Sequence, residues 1–414
     1  ARAAADPAHP PAGIVVFLDR HEFDGTDPDG ALARARELIW TASSTARAAV
    51  DGWSGVSGTT KPRLWLVSRG GLAFGSDEPH EPGDPAVGAL KGVVRTWRFP
   101  GELARVLADE PDLGATLVDL DASADTVALA DALLAELGAP LRDDVIAWRG
   151  RQRYTERLTR ATLDGAAGTV PAPQAEVRAD GSYLLTGGLG GLGIVVARWL
   201  VARGAGRIVL NGRSEPAEQQ RAVLDELAAA AEVVFVAGDI SSPGVADRLV
   251  AAAQETGKPL RGVVHAAGVL GDGLVTAVTR ESLESVWSAK AVGAARLHAA
   301  TAAAQLDWWV GFSSMAALLG LPGQLGYATS NAWLDALMAW RHASGLPATA
   351  INWGQWSDVG LGRSMTLSVL DPISPDEGIE ALDAVLGADS GLIGARIGVG
   401  RLRIDRAVAT SPEF

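Results

Sequence analysis

The second half of the chain consists of seven almost continuously apolar runs separated by longer, alanine-rich amphipathic segments. No other feature restricts the possible fold as much. The runs are SYLLTG (182–187), RIVLNG (207–212), VVFVAGD (233–239), LRGVVHAAG (260–268), WWVGFSS (308–314), ATAINWG (348–354) and GLIGARIG (391–398). Helical segments are expected near 191–203, 216–230, 243–256, 280–304 and 325–344. Strands that are apolar on both faces and separated by helices belong in a parallel sheet covered on both sides. Seven of them make a complete doubly wound α/β domain. The first half repeats the pattern more weakly, with strands expected at 13–19, 63–68, 115–121 and 144–148 and helices at 29–50, 85–97 and 123–138. The segment AAGTVPAPQAEVRADG (166–181), rich in Pro, Gly and Ala, marks the junction. The expected division is a smaller Rossmann-like half over 1–170 and a complete one over 171–414.

Composition narrows the function. A net charge of −13 argues against binding a phosphate backbone. With no cysteine, disulfides, thiol nucleophiles and Cys-ligated metals are excluded, and the six histidines show no metal-ligand spacing. No apolar run reaches the length of a membrane span. The N-terminus has neither a secretion signal nor an initiator methionine, so the expectation is a cytoplasmic piece of a longer polypeptide.

TGGLGGLG (186–193) follows a strand and opens a helix, the context in which a glycine loop binds a dinucleotide. Thr186, Gly187, Gly191 and Gly193 fit TGxxxGxG, with Gly188, Leu189 and Leu192 completing the loop. The glycines let the backbone approach a pyrophosphate, and the helix start presents free N–H groups. The next strand ends in Asn211-Gly212-Arg213, with no carboxylate for ribose hydroxyls and a guanidinium available for a 2′-phosphate. This favours NADPH, although Arg213 also reads as a solvated loop residue and Glu215 lies just beyond. The first strand of the first half runs into DRHEFDGTDPDG, which has no such loop.

SSMAALLGLPGQLGYATSN (313–331) begins at the carboxyl end of a strand, where open α/β sheets bind ligands. Ser314 ends the strand, while Tyr327 and Asn331 share a helix face one turn apart. A tyrosine can protonate a developing alkoxide if an ammonium lowers its pKa. The chain has four lysines: Lys61, Lys91, Lys258 and Lys290. The first two belong to the other half and Lys258 sits at the wrong sheet edge, which leaves Lys290.

A lysine 24 residues before the serine, with asparagine where short-chain reductases usually carry lysine, resembles the ketoreductase domains of type I polyketide synthases. VVHAAG (263–268) and INWGQW (351–356) also resemble family stretches, and the alanine-rich character resembles actinobacterial, mycocerosic-type synthases. The resemblance covers nearly the whole chain. It implies a truncated, cofactor-free structural subdomain followed by a complete short-chain dehydrogenase/reductase subdomain. It implies NADPH-dependent reduction of a β-ketoacyl thioester carried on the phosphopantetheine of an acyl carrier protein, with dehydratase and enoylreductase domains as neighbours. Tyr327 would protonate the oxygen, Ser314 would hold it, Lys290 would lower the tyrosine pKa and hold the ribose, and Asn331 would support a proton relay. Asp239, Ile240, Ala266, Ala267, Gly268 and Asn352 would line the cofactor site; Asp239 equally suits a helix N-cap. Leu270 and Asp272 stand in the family's Leu-Asp-Asp stereocontrol motif, whose middle position is Gly271, and Gly311 replaces the tryptophan of the opposite class. Together these favour a B-type, D-configured hydroxyl. Gln324 and Met365 are expected at the substrate, Met365 in a lid over 357–372 or else in the core. Two other functions remain open: a free-standing dehydrogenase acting on a small alcohol, and a catalytically silent domain that organises a megasynthase.

Overall fold

The computed structural model describes residues 13–53, 63–75, 81–97, 114–139, 143–161, 175–271, 273, 277–321, 323–360, 370–388 and 394–403. The expected junction at 170/171 and Met365 and Asp272 lie outside them.

In the first half, β1 (Gly13–Phe17), β2 (Arg63–Arg69), β3 (Gly114–Leu120) and β4 (Val145–Arg149) pair in parallel and in chain order. A strand absent from the sequence reading, β5 (Gln152–Thr155), adds antiparallel at the edge. Strictly sequential order leaves no point where the topology reverses, and that reversal is what opens a ligand crevice in such sheets. Side chains alternate between the faces. Leu64, Leu66, Ala115 and Leu117 meet α1 (Pro28–Trp53), α2 (Pro85–Gly88) and α3 (Leu90–Trp97), whereas Trp65, Val67, Val118 and Leu120 meet α4 (Thr126–Gly138).

The second half contains β6 (Ser182–Thr186), α5 (Gly191–Ala202), β7 (Arg207–Gly212), α6 (Glu218–Ala228), β8 (Glu232–Ala237), α7 (Val245–Gln254) and β9 (Leu260–His265). Then come α8 (Arg280–Trp287), a π turn (Ser288–Val292), α9 (Gly293–Ala300), β10 (Trp308–Ser314), α10 (Met315–Leu319), α11 (Leu325–Ala343) and β11 (Thr349–Trp353). The chain continues with β12 (Leu370–Asp371), α12 (Pro375–Gly387), β13 (Arg396–Val399) and β14 (Arg401–Leu402). Seven strands form one parallel sheet in the order β13-β11-β10-β9-β6-β7-β8, with the reversal between β6 and β9. This is the doubly wound arrangement read from the apolar runs. The small β12–β14 ribbon and the π turn were not foreseen.

The two sheets share a core. One hydrophobic cluster runs from Leu32, Ile39 and Val93 in the first half to Trp309, Trp333, Leu337 and Trp340 in the second. Its tightest contact joins α2 and α3 to α11. A Cβ on Gly88 would lie 2.3 Å from that of Ala336, and one on Gly92 would lie 2.7 Å from the backbone of Ala328 and Thr329. Small residues at this crossing let the backbones approach. A polar seam continues it. The Glu156 carboxylate pairs with Lys91 at 2.7 Å, with Arg95 at 3.3 Å and with Arg396 of β13. Arg95 also donates to the Ala317 carbonyl of α10 at 2.7 Å.

Gly92→Val places two methyl groups against the α11 backbone. It should lower unfolding stability by about 2 kcal/mol or more, read as a lower denaturant midpoint. Because α11 carries Tyr327, activity should fall as well, whereas valine at the exposed Gly138, where a Cβ meets nothing within 4 Å, should leave activity unchanged.

Candidate active site

The carboxyl ends of β6, β9, β10 and β11 open onto a cleft. Lys290, Ser314 and Tyr327 line it together, with Leu192, Ala266, Gly268, Leu270 and Gln324 around them. Residues far apart in sequence are joined here because each follows, or packs beside, a strand end on the same edge of the sheet.

The glycine loop has the geometry its sequence implies. Gly187 has φ 68°, the left-handed region that favours glycine. A Cβ on Gly193 would lie 2.1 Å from the Gly187 carbonyl oxygen, so this position excludes every other residue. Gly188 packs on Leu210, Leu189 is buried, and Gly191 is exposed at the first turn of α5. An exposed helix start beside backbone-only positions suits a dinucleotide pyrophosphate. Thr186 is buried and its hydroxyl accepts from the Ala267 N–H at 3.4 Å, tying the loop to the turn after β9.

Arg213 is exposed and forms no ion pair among the described residues. Asn211 is buried, donating to the Val236 and Gly238 carbonyls at 3.0 and 2.9 Å. Asp239 does not cap α7, whose N-cap is Gly244. Its carboxylate instead accepts from Ser241 N–H at 2.9 Å, fixing a turn beyond β8. Ile240 is buried against Gly293.

Lys290 sits at the centre of the π turn and is 5% exposed. Such single-turn π segments are frequent at functional sites. Its stem passes over Gly268, where a Cβ would lie 2.9 Å from Cε, and its ammonium donates to the Phe312 carbonyl at 2.7 Å. Burial lowers its pKa to about 7, with Asp335 opposing. Its own carbonyl lies 2.9 Å from His265 Nε2, so that nitrogen carries the proton. His265 Nδ1 therefore accepts from the Thr186 hydroxyl at 2.8 Å. This fully buried histidine, missed as a site residue, links the glycine loop to the lysine.

Tyr327 is half-buried on the cleft. The sequence reading expected an ammonium to lower its pKa. Burial instead pushes it up, opposed by hydrogen bonds from Ser314 and Asn331. The groups that act on the tyrosine are the neutral Ser314 and Asn331, while the Lys290 ammonium donates to the Phe312 carbonyl.

Asn331 is buried and donates to the Tyr327 carbonyl at 2.8 Å. Asn352 does not reach the cleft, contrary to its expected place at the cofactor. It is fully buried, and its side-chain N–H groups go to Ser313 Oγ at 3.0 Å, the Ser314 carbonyl at 3.1 Å and Asp335 Oδ2 at 2.8 Å. Gly311 is also withdrawn, since its missing side chain would meet Leu334 rather than substrate. Gly271 is explained by packing: a Cβ there would lie 2.1 Å from Val286 Cγ2. Gly273 then donates to the Gly323 carbonyl at 2.6 Å, clamping this loop to the segment before α11.

Comparisons with known proteins agree with this architecture. The profile of the KR domain family matches residues 181–358. The chain is 52% identical over its full length to a phenolphthiocerol/phthiocerol polyketide synthase of Mycobacterium tuberculosis (strain CDC 1551 / Oshkosh), covering 21% of that polypeptide. It is 50% identical over 53% of its length to the phthioceranic/hydroxyphthioceranic acid synthase of Mycobacterium bovis (strain BCG / Pasteur 1173P2), of which it covers 11%. Among solved structures, the first ketoreductase of the tylosin polyketide synthase is 33% identical, with a TM-score of 0.71 over 90% of this chain and 76% of that one. The ketoreductase from the first module of phoslactomycin biosynthesis in Streptomyces sp. HK803 is 27% identical, with a TM-score of 0.75 over 100% of this chain and 87% of that one. The fold and site define a β-ketoacyl reductase of the short-chain dehydrogenase/reductase superfamily. The chain belongs to the ketoreductase domains of polyketide synthases. It spans about a fifth of the length of the synthase polypeptide it matches end to end.

Two buried histidines give the fold an acid limit. Burial lowers the pKa of His265 to about 3, and burial together with Arg341 lowers that of His298 to about 4. The unfolded chain therefore takes up protons first. The stability these neutral rings contribute is complete above the unfolded value near 6.5 and is lost as pH falls toward 3. Each should remove about 1.4 kcal/mol per pH unit within its window. Denaturant midpoints measured from pH 7 to pH 4 check this, and His298→Gln should flatten the dependence.

Proposed function

We propose that this domain reduces a β-ketoacyl thioester to a β-hydroxyacyl thioester with NADPH. The convergence of Lys290, Ser314 and Tyr327 on one cleft beside the glycine loop carries the reading. When bound, the nicotinamide supplies hydride to the carbonyl carbon. The Ser314 hydroxyl hydrogen-bonds the carbonyl oxygen and fixes its position, and the Tyr327 hydroxyl delivers the proton as negative charge develops there. The raised tyrosine pKa keeps that proton in place until the oxygen becomes basic. Lys290 holds the nicotinamide ribose, and Asn331 steadies the tyrosine helix and supports reprotonation. Gly187 to Gly193 cradle the pyrophosphate, Arg213 takes the 2′-phosphate, and Asp239 with Ile240 borders the adenine. Ala266, Ala267 and Gly268 would line the cofactor site.

Leu270 and Gln324 border the acyl chain. With Asp272 they support the B-type, D-configured product. Residues 1–170 form the structural subdomain and 171–414 the catalytic one. The substrate arrives on the phosphopantetheine of an acyl carrier protein within a larger cytoplasmic synthase, with dehydratase and enoylreductase domains as neighbours. No helix among the described residues is long and apolar enough to cross a membrane.

The test follows NADPH oxidation with a β-ketoacyl thioester and resolves the product by chiral chromatography. Tyr327→Phe should reduce kcat by roughly 10²–10⁴-fold with NADPH affinity retained. An undiminished rate in that variant would remove the tyrosine from the chemistry. In a binding assay, Arg213→Ala should weaken NADPH by at least about tenfold and leave NADH unchanged. Equal losses for both cofactors would reject the 2′-phosphate assignment.

A further inference from the structure

The wall of the cleft that carries Ser314 is a single short turn of helix. α10 runs only from Met315 to Leu319, and Ser314 is its N-cap, the hydroxyl oxygen accepting from the Ala316 N–H at 3.2 Å. That bond uses the oxygen as an acceptor and leaves the hydroxyl proton free to be donated. Met315, Ala316, Leu319, Gly320 and Leu321 continue the same wall. An isolated turn of helix has no stability of its own in water, so other elements must hold it.

The first half of the chain supplies that hold. Arg95 of α3 is 5% exposed, and its Nη1 donates to the Ala317 carbonyl at 2.7 Å. Ala317 lies in the last turn of α10, where a carbonyl has no partner within the helix. The backbone of Arg95 meets the same end. Gly320 has φ 75°, and a Cβ there would lie 2.3 Å from the Arg95 carbonyl oxygen. The guanidinium is fixed in turn. Its Nε donates to Asp144 Oδ2 at 3.3 Å, and its Nη2 lies 3.3 Å from Glu156 Oε2. Each of its nitrogens therefore has a partner in a different direction, which the planar fork of arginine can satisfy and a lysine ammonium cannot. Lys91 pairs with the same Glu156 carboxylate at 2.7 Å but forms no hydrogen bond to α10 among the described residues.

Resting on the role given to Ser314 above, we propose that Arg95 is a positioning residue for the reaction: from the first half of the chain it fixes α10 through the Ala317 carbonyl, and so holds the Ser314 hydroxyl in register with Tyr327 while touching neither substrate nor cofactor. A small displacement of α10 breaks the N-cap bond and turns the Ser314 proton away from the substrate oxygen. The glycine loop, Lys290 and Tyr327 stand on other elements, at the start of α5, in the π turn and on α11. The loss therefore falls on the chemical step and spares NADPH binding.

The first readout needs no turnover. In Arg95→Gln, hydrogen exchange at the Ala316 and Gly320 amides, measured by NMR on the full chain, should accelerate by about tenfold or more. Lys91→Met, which takes a partner from the same carboxylate, is the control and should leave those amides unchanged. In the kinetic arm, Arg95→Gln should lower kcat for a β-ketoacyl thioester by about tenfold or more with the NADPH Kd unchanged, whereas Lys91→Met should keep kcat. In a Ser314→Ala background the Arg95 substitution should add little, because both act through one hydroxyl. Should Arg95→Gln fail to fold, Arg95→Lys decides, since it keeps a cation for Glu156 and Asp144 and gives up the bond to Ala317. Unchanged exchange or unchanged kcat in a folded Arg95 variant overturns the proposal. Equal losses in Arg95→Gln and Lys91→Met, or full additivity with Ser314→Ala, also overturn it and leave Arg95 a packing residue. Accelerated exchange in a domain whose unsubstituted form does not reduce β-ketoacyl thioesters would uphold Arg95 as the anchor of α10 and reject the proposed reaction.

Discussion

The close approach of α2 and α3 to α11 is the constraint on which the rest of the molecule depends. It requires Gly88 and Gly92 on one side and Ala328 and Ala336 on the other, because side chains at those points would keep the backbones apart. Through that contact two parallel sheets, each with its own helices, bury one continuous core. The helix so held is also the one that carries Tyr327, Asn331 and Asp335. The first half thus keeps a Rossmann-like layout with its strands in sequential order, and it backs the helix that carries Tyr327. The Glu156 seam extends this backing to α10 and β13, at the wall of the cleft and the edge of the catalytic sheet.

The chemistry is assembled at the strand ends by a chain of neutral groups around one cation. Thr186 donates to His265, His265 donates to the Lys290 carbonyl, and the Lys290 ammonium donates to Phe312. Each link leaves its group with a single possible proton position, so the site is ordered without strong ion pairs. The cost falls on the lysine, whose charge is taken out of water and whose pKa drops accordingly. The tyrosine bears a matching cost in the opposite direction, its pKa raised by burial.

Much of this was legible in the sequence. Seven apolar runs with helices between them gave the sheet, because strands buried on both faces cannot alternate. The glycine spacing gave the loop, since only residues without a Cβ fit at Gly187 and Gly193. Elimination among four lysines pointed to Lys290, and the structure places it in the cleft. Other expectations came out differently. The family resemblance assigned Asn352 to the cofactor site and Gly311 to stereocontrol, but strand pleating turns both inward, one toward Asp335 and the other toward Leu334. The tyrosine pKa was read from an ammonium in the neighbourhood, whereas burial sets its direction.

By itself the sequence determined the fold class, the glycine loop between a strand and a helix, and the polar side chains that the structure brings together in the cleft, since those follow from periodicity, glycine spacing and residue chemistry along the chain. Only the tertiary structure decided which buried groups act on one another. That His265 joins Thr186 to Lys290, that Gly271 yields to Val286 and that Asp335 stands behind the site are contacts between residues that meet only across the fold. They depend on strand order, on the π turn and on the depth of burial, and no local pattern encodes the distance between two elements that come together only after folding.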